Sequence, residues 1–261
     1  MYSLKDFFTL LEEYAPLKIS HVAIDNGDYD NSGIIVDSHD RVEKVLFTLD
    51  LSNLAVKKAL ELGVDTIVTH HPAIYRPIKN LSRDGETAPL LSAIKAGLNV
   101  ISMHLNLDMA DLGVDECLAR ALGAKAVKII SPLGETNYGY GREFDLDLSL
   151  EIFTDNAKKE LKSDRIISYG FGDIKKVATF CGGGSSIALN CVLSGLTDAD
   201  VVVTSDMPHH VIKELIESGK KIVLIPHYVS EQYGFNKFYE WTLEKINSKA
   251  QAYYFEDKRF M

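Results

Sequence analysis

Leu4, Phe7, Phe8, Leu11 and Tyr14 recur every three or four positions, a spacing that predicts an amphipathic helix. Beyond it, Asp25 to Gly33 is dense in turn residues and predicts a loop, followed by strands at Ile34–Val36 and Val45–Asp50. Ser52 is placed to cap a helix running to Leu62, with Gly63 just past its end. Thr66 to Thr69 are β-branched residues bounded by Gly63 and Pro72, which predicts a short buried strand ending in His70 and His71. A helix over Pro89–Ala96, a strand over Asn99–Met103 and a helix over Val114–Leu122 follow, the helices closed by Gly97 and Gly123. The stretch from Lys125 to Asp173 is less regular, although Phe144–Ile152 alternates as an edge or antiparallel strand would. From Val177 the rhythm returns. Strands are expected at Val177–Cys181, Val201–Thr204 and Lys221–Pro226, and helices at Ser186–Leu193, Pro208–Ser218 and Ser230–Ile246.

This alternation predicts α/β architecture with mixed, largely parallel sheets. The two halves also echo each other. Strand Thr66–Thr69 leads through His70 and His71 to a helix, a strand and His104; strand Val201–Thr204 leads through Ser205 and Asp206 to a helix, a strand and His227. Each final histidine has an acid four residues on, Asp108 and Glu231. The expectation is two related lobes, residues 1–125 and 126–261, the second able to take back the N-terminal helix, with a metal cleft lined by both sets of strand ends.

Composition narrows the functional classes. With 28 Lys and Arg against 37 Asp and Glu, the net charge of −9 argues against binding nucleic-acid backbones. No apolar run is long enough to span a membrane, and no basic-then-apolar leader precedes Leu11, so a cytoplasmic protein without membrane association is expected. Cys117, Cys181 and Cys191 lack metal-finger spacing and are expected to be reduced core thiols.

The chemistry concentrates at strand ends. Adjacent strand residues point to opposite faces, so His70 and His71 can serve one site only where the strand stops, and Pro72 stops it. His104 with Asp108, and His227 with Glu231, place an imidazole and a carboxylate one helical turn apart. Nitrogen and carboxylate donors of this kind suit Zn, Mn, Fe, Co or Ni, and two-metal hydrolytic sites use carboxylates to bridge their ions. Taken singly, each of these histidines reads first as a hydrogen-bonded loop or core imidazole, and it is their repeated placement at strand ends that favours a metal site.

Thr69-His70-His71-Pro72, then His104-Leu105-Asn106-Leu107-Asp108 with Gly113-Val114, then His227-Tyr228 with Glu231, strongly resemble the Nif-three-like dinuclear-metal proteins. These are also known as type 2 homologues of GTP cyclohydrolase I. The resemblance covers roughly Ile19 to Tyr254 and implies a two-lobe fold, assembly as a homohexameric ring and two divalent metal ions per chain. It assigns His70, His71, Asp108, His227 and Glu231 as ligands, with Glu231 bridging and catalytic. His104 would stand behind the ligands or join them, and His210, beside His209, would lie near the cleft or bond loop carbonyls at a helix start. His21 and His39 are expected to be structural or surface residues. An acidic insertion separates Asp25-Asn26-Gly27 from Gly33-Ile34-Ile35-Val36, a departure from the family pattern, and the long middle insertion of some members is missing.

Gly182-Gly183-Gly184-Ser185, between a strand and a helix, is either a tight turn or a cradle for a phosphate. The functional expectation is a metal-dependent hydrolase acting on a small phosphorylated or nucleotide-like substrate, GTP cyclohydrolase-like by resemblance. The alternative is a ring-forming metal-binding or scaffold protein without turnover.

Overall fold

In the computed structural model, which describes residues 1–261, the chain forms ten α-helices and eleven strands. In chain order the first elements are α1 (Leu4–Glu12), α2 (Lys18–Asp25), β1 (Gly33–Val36), β2 (Lys44–Thr48), α3 (Asn53–Leu62), β3 (Thr66–Thr69), α4 (Ala88–Lys95), β4 (Asn99–Ser102) and α5 (Leu105–Met109). Then come α6 (Val114–Ala121), β5 (Lys128–Pro132), β6 (Gly139–Ser149), α7 (Leu150–Glu160), β7 (Ile167–Tyr169), β8 (Asp173–Thr179) and α8 (Ser185–Leu193). The chain ends with β9 (Val201–Thr204), α9 (His209–Glu217), β10 (Lys221–Leu224), α10 (His227–Lys245) and β11 (Gln251–Tyr254). No helix is long and apolar enough to cross a membrane.

The architecture is α/β with two mixed sheets. One has the order β1-β4-β3-β2-β11, parallel except for β1; the other has β5-β6-β8-β9-β10-β7, with β8, β9 and β10 parallel. Two units carry them: Met1–Asp111 with Phe235–Arg259, and Leu112–Gly234 with Phe260–Met261. This division differs from the one expected at residue 125. Helix α1 stays with the first sheet, and the C-terminal segment returns there because β11 pairs in parallel with β2, Tyr254 opposite Phe47.

Local signals behave as their chemistry requires. Ser52 Oγ accepts from Ala55 N–H, and Gly63 closes α3 at a left-handed φ of 64°. The alternation expected to carry a strand to Ile152 stops at Ser149. That hydroxyl accepts from Ile152 N–H and opens α7, so the capping bond overrides a coincidental apolar pattern. Helix α2 precedes the acidic loop and was not expected as a helix.

Strand β3 is buried throughout, as befits a parallel strand covered on both faces. On one face Leu46, Ile67 and Val100 pack with Val56, Ala59 and Ala93. On the other, fully buried Phe47 meets Phe235, Phe238 and Tyr239 at centroid distances of 6.2, 5.8 and 5.4 Å. In the second unit Val201 and Val203 pack towards Phe144, Phe153 and Ile174, while Val202 faces Phe180, Ala188 and Leu215. Each buried side chain of this size contributes about 1.5–3 kcal/mol, which fixes register and hence the position of every strand end.

Candidate metal centre

In the first unit, register aligns Thr48 with Thr69 and Thr69 with Ser102, so Asp50, His70, His71 and His104 emerge at the same carboxyl edge. Both His70 N–H and His71 N–H donate to the Leu49 carbonyl, at 3.1 and 3.0 Å. That shared acceptor ends the ladder and brings neighbouring rings to one side. The centroids of His70, His71 and His104 lie 5.0, 5.4 and 5.9 Å apart, and one ligand atom from each lies within 4.8 Å of the others.

The partners of Nδ1 decide which ring nitrogen carries the proton. His70 Nδ1 lies 2.8 Å from the Met103 carbonyl, His71 Nδ1 2.7 Å from Asp50 Oδ1, and His104 Nδ1 2.7 Å from Asp30 Oδ1. A carbonyl or an ionised carboxylate only accepts, so each Nδ1 holds its hydrogen and each Nε2 presents a lone pair. Carbonyls and carboxylates behind imidazoles orient metal ligands in this way. Burial pushes the Asp30 carboxyl up, but His104 and the hydroxyls of Ser20 and Ser32 outweigh it and hold the group down at about 2. The acidic insertion therefore has a structural task. Asp30 fixes the His104 ring while Ser32 Oγ accepts from His104 N–H at 3.0 Å.

Asp108 follows on α5, its N–H bonded to the His104 carbonyl at 2.9 Å, and its Oδ1 lies 3.3 Å from His70 Nε2. With the ring proton on Nδ1, a lone pair faces a carboxylate there. The contact is favourable when a second proton or a metal ion lies between the two atoms. Two ligand atoms that each sit about 2.1 Å from a common ion are roughly 3.0–3.4 Å apart, so the spacing fits the metal.

The second unit builds a matching pair from its own strand ends. Leu224 aligns with Thr204 and Thr179 with Val203, which puts Cys181-Gly182, Ser205-Asp206 and Pro226-His227 along one edge. His227 Nδ1 bonds the Asp206 carboxylate, and His227 Nε2 lies 3.0 Å from Oε1 of buried Glu231. Asp206 holds a left-handed φ of 45°, which a short polar side chain tolerates.

The glycine turn makes room for this pair. Gly182 has φ 55°, and a Cβ there would lie 2.1 Å from Glu231 Oε1 and 3.2 Å from His227 Nε2. Its N–H donates to Ser230 Oγ at 3.1 Å, and the Ser185 hydroxyl donates to the Asp206 carbonyl at 3.3 Å. Buried Asp115 anchors the turn from below, accepting from Cys181 N–H at 3.2 Å and Gly141 N–H at 2.8 Å, with Arg142 Nη1 at 3.5 Å. Gly183 faces open space.

Thus His70, His71, His104 and Asp108 gather in one unit, and His227 and Glu231 in the other. His210 is exposed with His209 at the start of α9. His39 bonds Asn99, and the three cysteines are free thiols. Asp30, Asp50, Asp206 and Asp115 were missing from the sequence-based set. Asp50 behind His71 and Asp206 behind His227 play the same part in the two units, a correspondence that the sequence echo did not give, because it set Ser205-Asp206 against His70-His71.

Residues 2–257 match the family described as Duf34/NIF3 (NGG1p interacting factor 3). The chain belongs to this family. NIF3 relatives include a Clostridium perfringens protein named "GTP cyclohydrolase 1 type 2 homolog", 28% identical over 95% of this chain and 94% of its own length. The Saccharomyces cerevisiae "NGG1-interacting factor 3" is 30% identical over 78% of this chain and 79% of its own. Among solved structures, a Staphylococcus aureus hypothetical protein superposes with a TM-score of 0.84 at 25% identity, covering 98% of this chain and 97% of that one.

Proposed function

We propose that this NIF3 chain is a metal-dependent hydrolase that holds two divalent ions and acts on a small phosphorylated or nucleotide-like molecule. One observation carries the reading. Each unit contains an imidazole Nε2 facing a carboxylate oxygen at ligand spacing, His70 with Asp108 and His227 with Glu231, while a hydrogen-bond acceptor holds each ring's proton on Nδ1. His71 and His104 are the further nitrogen donors. Bound ions of this type supply hydroxide near neutral pH and polarise a phosphoryl or carbonyl oxygen. The chain's residues set the rest. Asp50, Asp30 and Asp206 orient the imidazoles, and buried Glu231, for which the glycine turn leaves room, holds or passes the proton of the attacking water.

The name shared by the bacterial relatives makes GTP the first substrate to offer. The test is hydrolysis of a panel of GTP, other nucleotides and phosphodiesters by metal-loaded protein and by Glu231→Gln. Turnover by the wild type that falls at least about a hundredfold in the variant supports the reading. No turnover of any substrate by fully loaded wild type contradicts it. A non-catalytic metal-binding scaffold is the second reading, favoured by the complete burial of His70, which suits an ion held for stability. In that protein Glu231→Gln would alter assembly or melting temperature alone. Homohexamer formation is part of either proposal, and light scattering of the purified chain tests it.

A further inference from the structure

A cavity of about 530 Å³ opens in the first unit beside the histidine cluster, with His71 and Asp50 in its wall and Tyr75, Arg76, Lys79 and Glu86 around it. The segment that lines it is pinned at its start. Ala73 N–H donates to Ser102 Oγ at 3.1 Å, and Asn31 Nδ2 donates to the Ile74 carbonyl. The Arg76 guanidinium carbon lies 5.2 Å from the Tyr29 ring centre and 5.7 Å from that of Tyr75. The two tyrosines meet edge to face at 5.3 Å. Aromatic faces therefore hold this cation in place while its N–H donors stay uncommitted to any carboxylate. Lys79 likewise has no acidic partner. In a chain of net charge −9, two cations left unpaired at one cavity are notable, because acids are in excess. Asp50 is already spent on the His71 ring. The start of α4, which has no side-chain cap, adds the positive end of its dipole on the side of Thr87.

We propose that this cavity binds the phosphate group of a small organic phosphate ester, with Arg76 and Lys79 as its partners. Its volume lies in the range of small-molecule sites and exceeds the needs of a free anion. The ester's organic body lies along Tyr75 towards His71, and Glu86 accepts from its hydroxyl or amino groups. This deepens the hydrolase reading by naming where the substrate is held, and it rests on His71 being a metal ligand.

The test is calorimetric titration of the whole 261-residue chain as purified, with metal content measured on the same samples. The probes are a nucleoside monophosphate, its nucleoside and inorganic phosphate, offered to wild type, Lys79→Gln and Arg76→Gln/Lys79→Gln. Wild type is expected to bind the monophosphate at least about tenfold more tightly than the nucleoside or phosphate alone. The double variant should lose about tenfold or more, and Lys79→Gln part of that, with unchanged metal content and melting temperature. Equal affinity in wild type and double variant would overturn the proposal, and would direct attention to the Gly182–Ser185 turn. So would failure of wild type to bind the monophosphate, or equal binding of inorganic phosphate. Because these comparisons are made at matched metal content, they stand or fall apart from turnover. A chain that binds the ester through Arg76 and Lys79 yet hydrolyses nothing would defeat the hydrolase reading alone.

Discussion

Replacing Gly182 by alanine probes two consequences of one atom. The residue sits at φ 55°, where a side chain costs about 1–2 kcal/mol of backbone strain. The new Cβ would also stand 2.1 Å from Glu231 Oε1, so the carboxylate must retreat by about 1 Å or more to reach ordinary contact. Gly63→Ala separates the two effects. It imposes the same left-handed strain at φ 64°, but its Cβ would meet nothing closer than Lys44 Nζ at 3.8 Å. Urea unfolding should therefore show both variants losing about 1–2 kcal/mol. Competition against a chromophoric chelator should show metal affinity falling about 10–100-fold in Gly182→Ala alone, since a displaced ligand loses its geometry. Equal metal affinity in the two variants would refute the reasoning: Gly182 would then serve the turn only, and Glu231 would not be a ligand that the turn positions.

Asp50→Asn removes the carboxylate behind His71 and should weaken metal binding about 10–100-fold with little change in melting temperature; unchanged affinity would remove Asp50 from the site. Phe47→Ala empties a fully buried position among three aromatic rings and should cost about 3–5 kcal/mol in urea unfolding. A loss below about 1 kcal/mol would mean that the ring cluster does not hold the first sheet's second face. Asp115→Ala leaves Arg142 buried without its acid and frees Cys181 N–H; it should cost about 3–5 kcal/mol and also loosen metal binding. Full stability in that variant would contradict the anchoring role.

Legibility in the sequence followed the range of the interactions. Helix α3 was readable almost to the residue because Ser52 and Gly63 act within one turn of the chain, and β9 because four consecutive β-branched residues need no partner to be recognised. The His-Pro strand end and the i, i+4 acid pairs exposed the donor side of the site for the same reason. What stayed hidden depended on pairings distant in sequence. Asp30 reaches His104 across 74 residues, and Asp115 reaches Cys181 across 66, so neither carries a local signal. The return of β11 to β2, a contact between chain segments about two hundred residues apart, gives the C-terminal segment to the first unit, and α6 packs with Phe144 and Phe153 of the second, so the units do not divide at residue 125 as the echo of the two halves suggested. Ser149 is the converse, a local cap that the apolar alternation of Phe144 to Ile152 concealed.

The central claim is that the paired imidazole and carboxylate of each unit exist to hold metal. Elemental analysis of protein purified without a histidine-rich tag or added metal tests it most directly. The account predicts about two equivalents of a first-row divalent ion per chain. A chain that remains metal-free after exposure to Zn, Mn, Fe, Co and Ni would contradict it, and His70 and His227 would then hold second protons against Asp108 and Glu231.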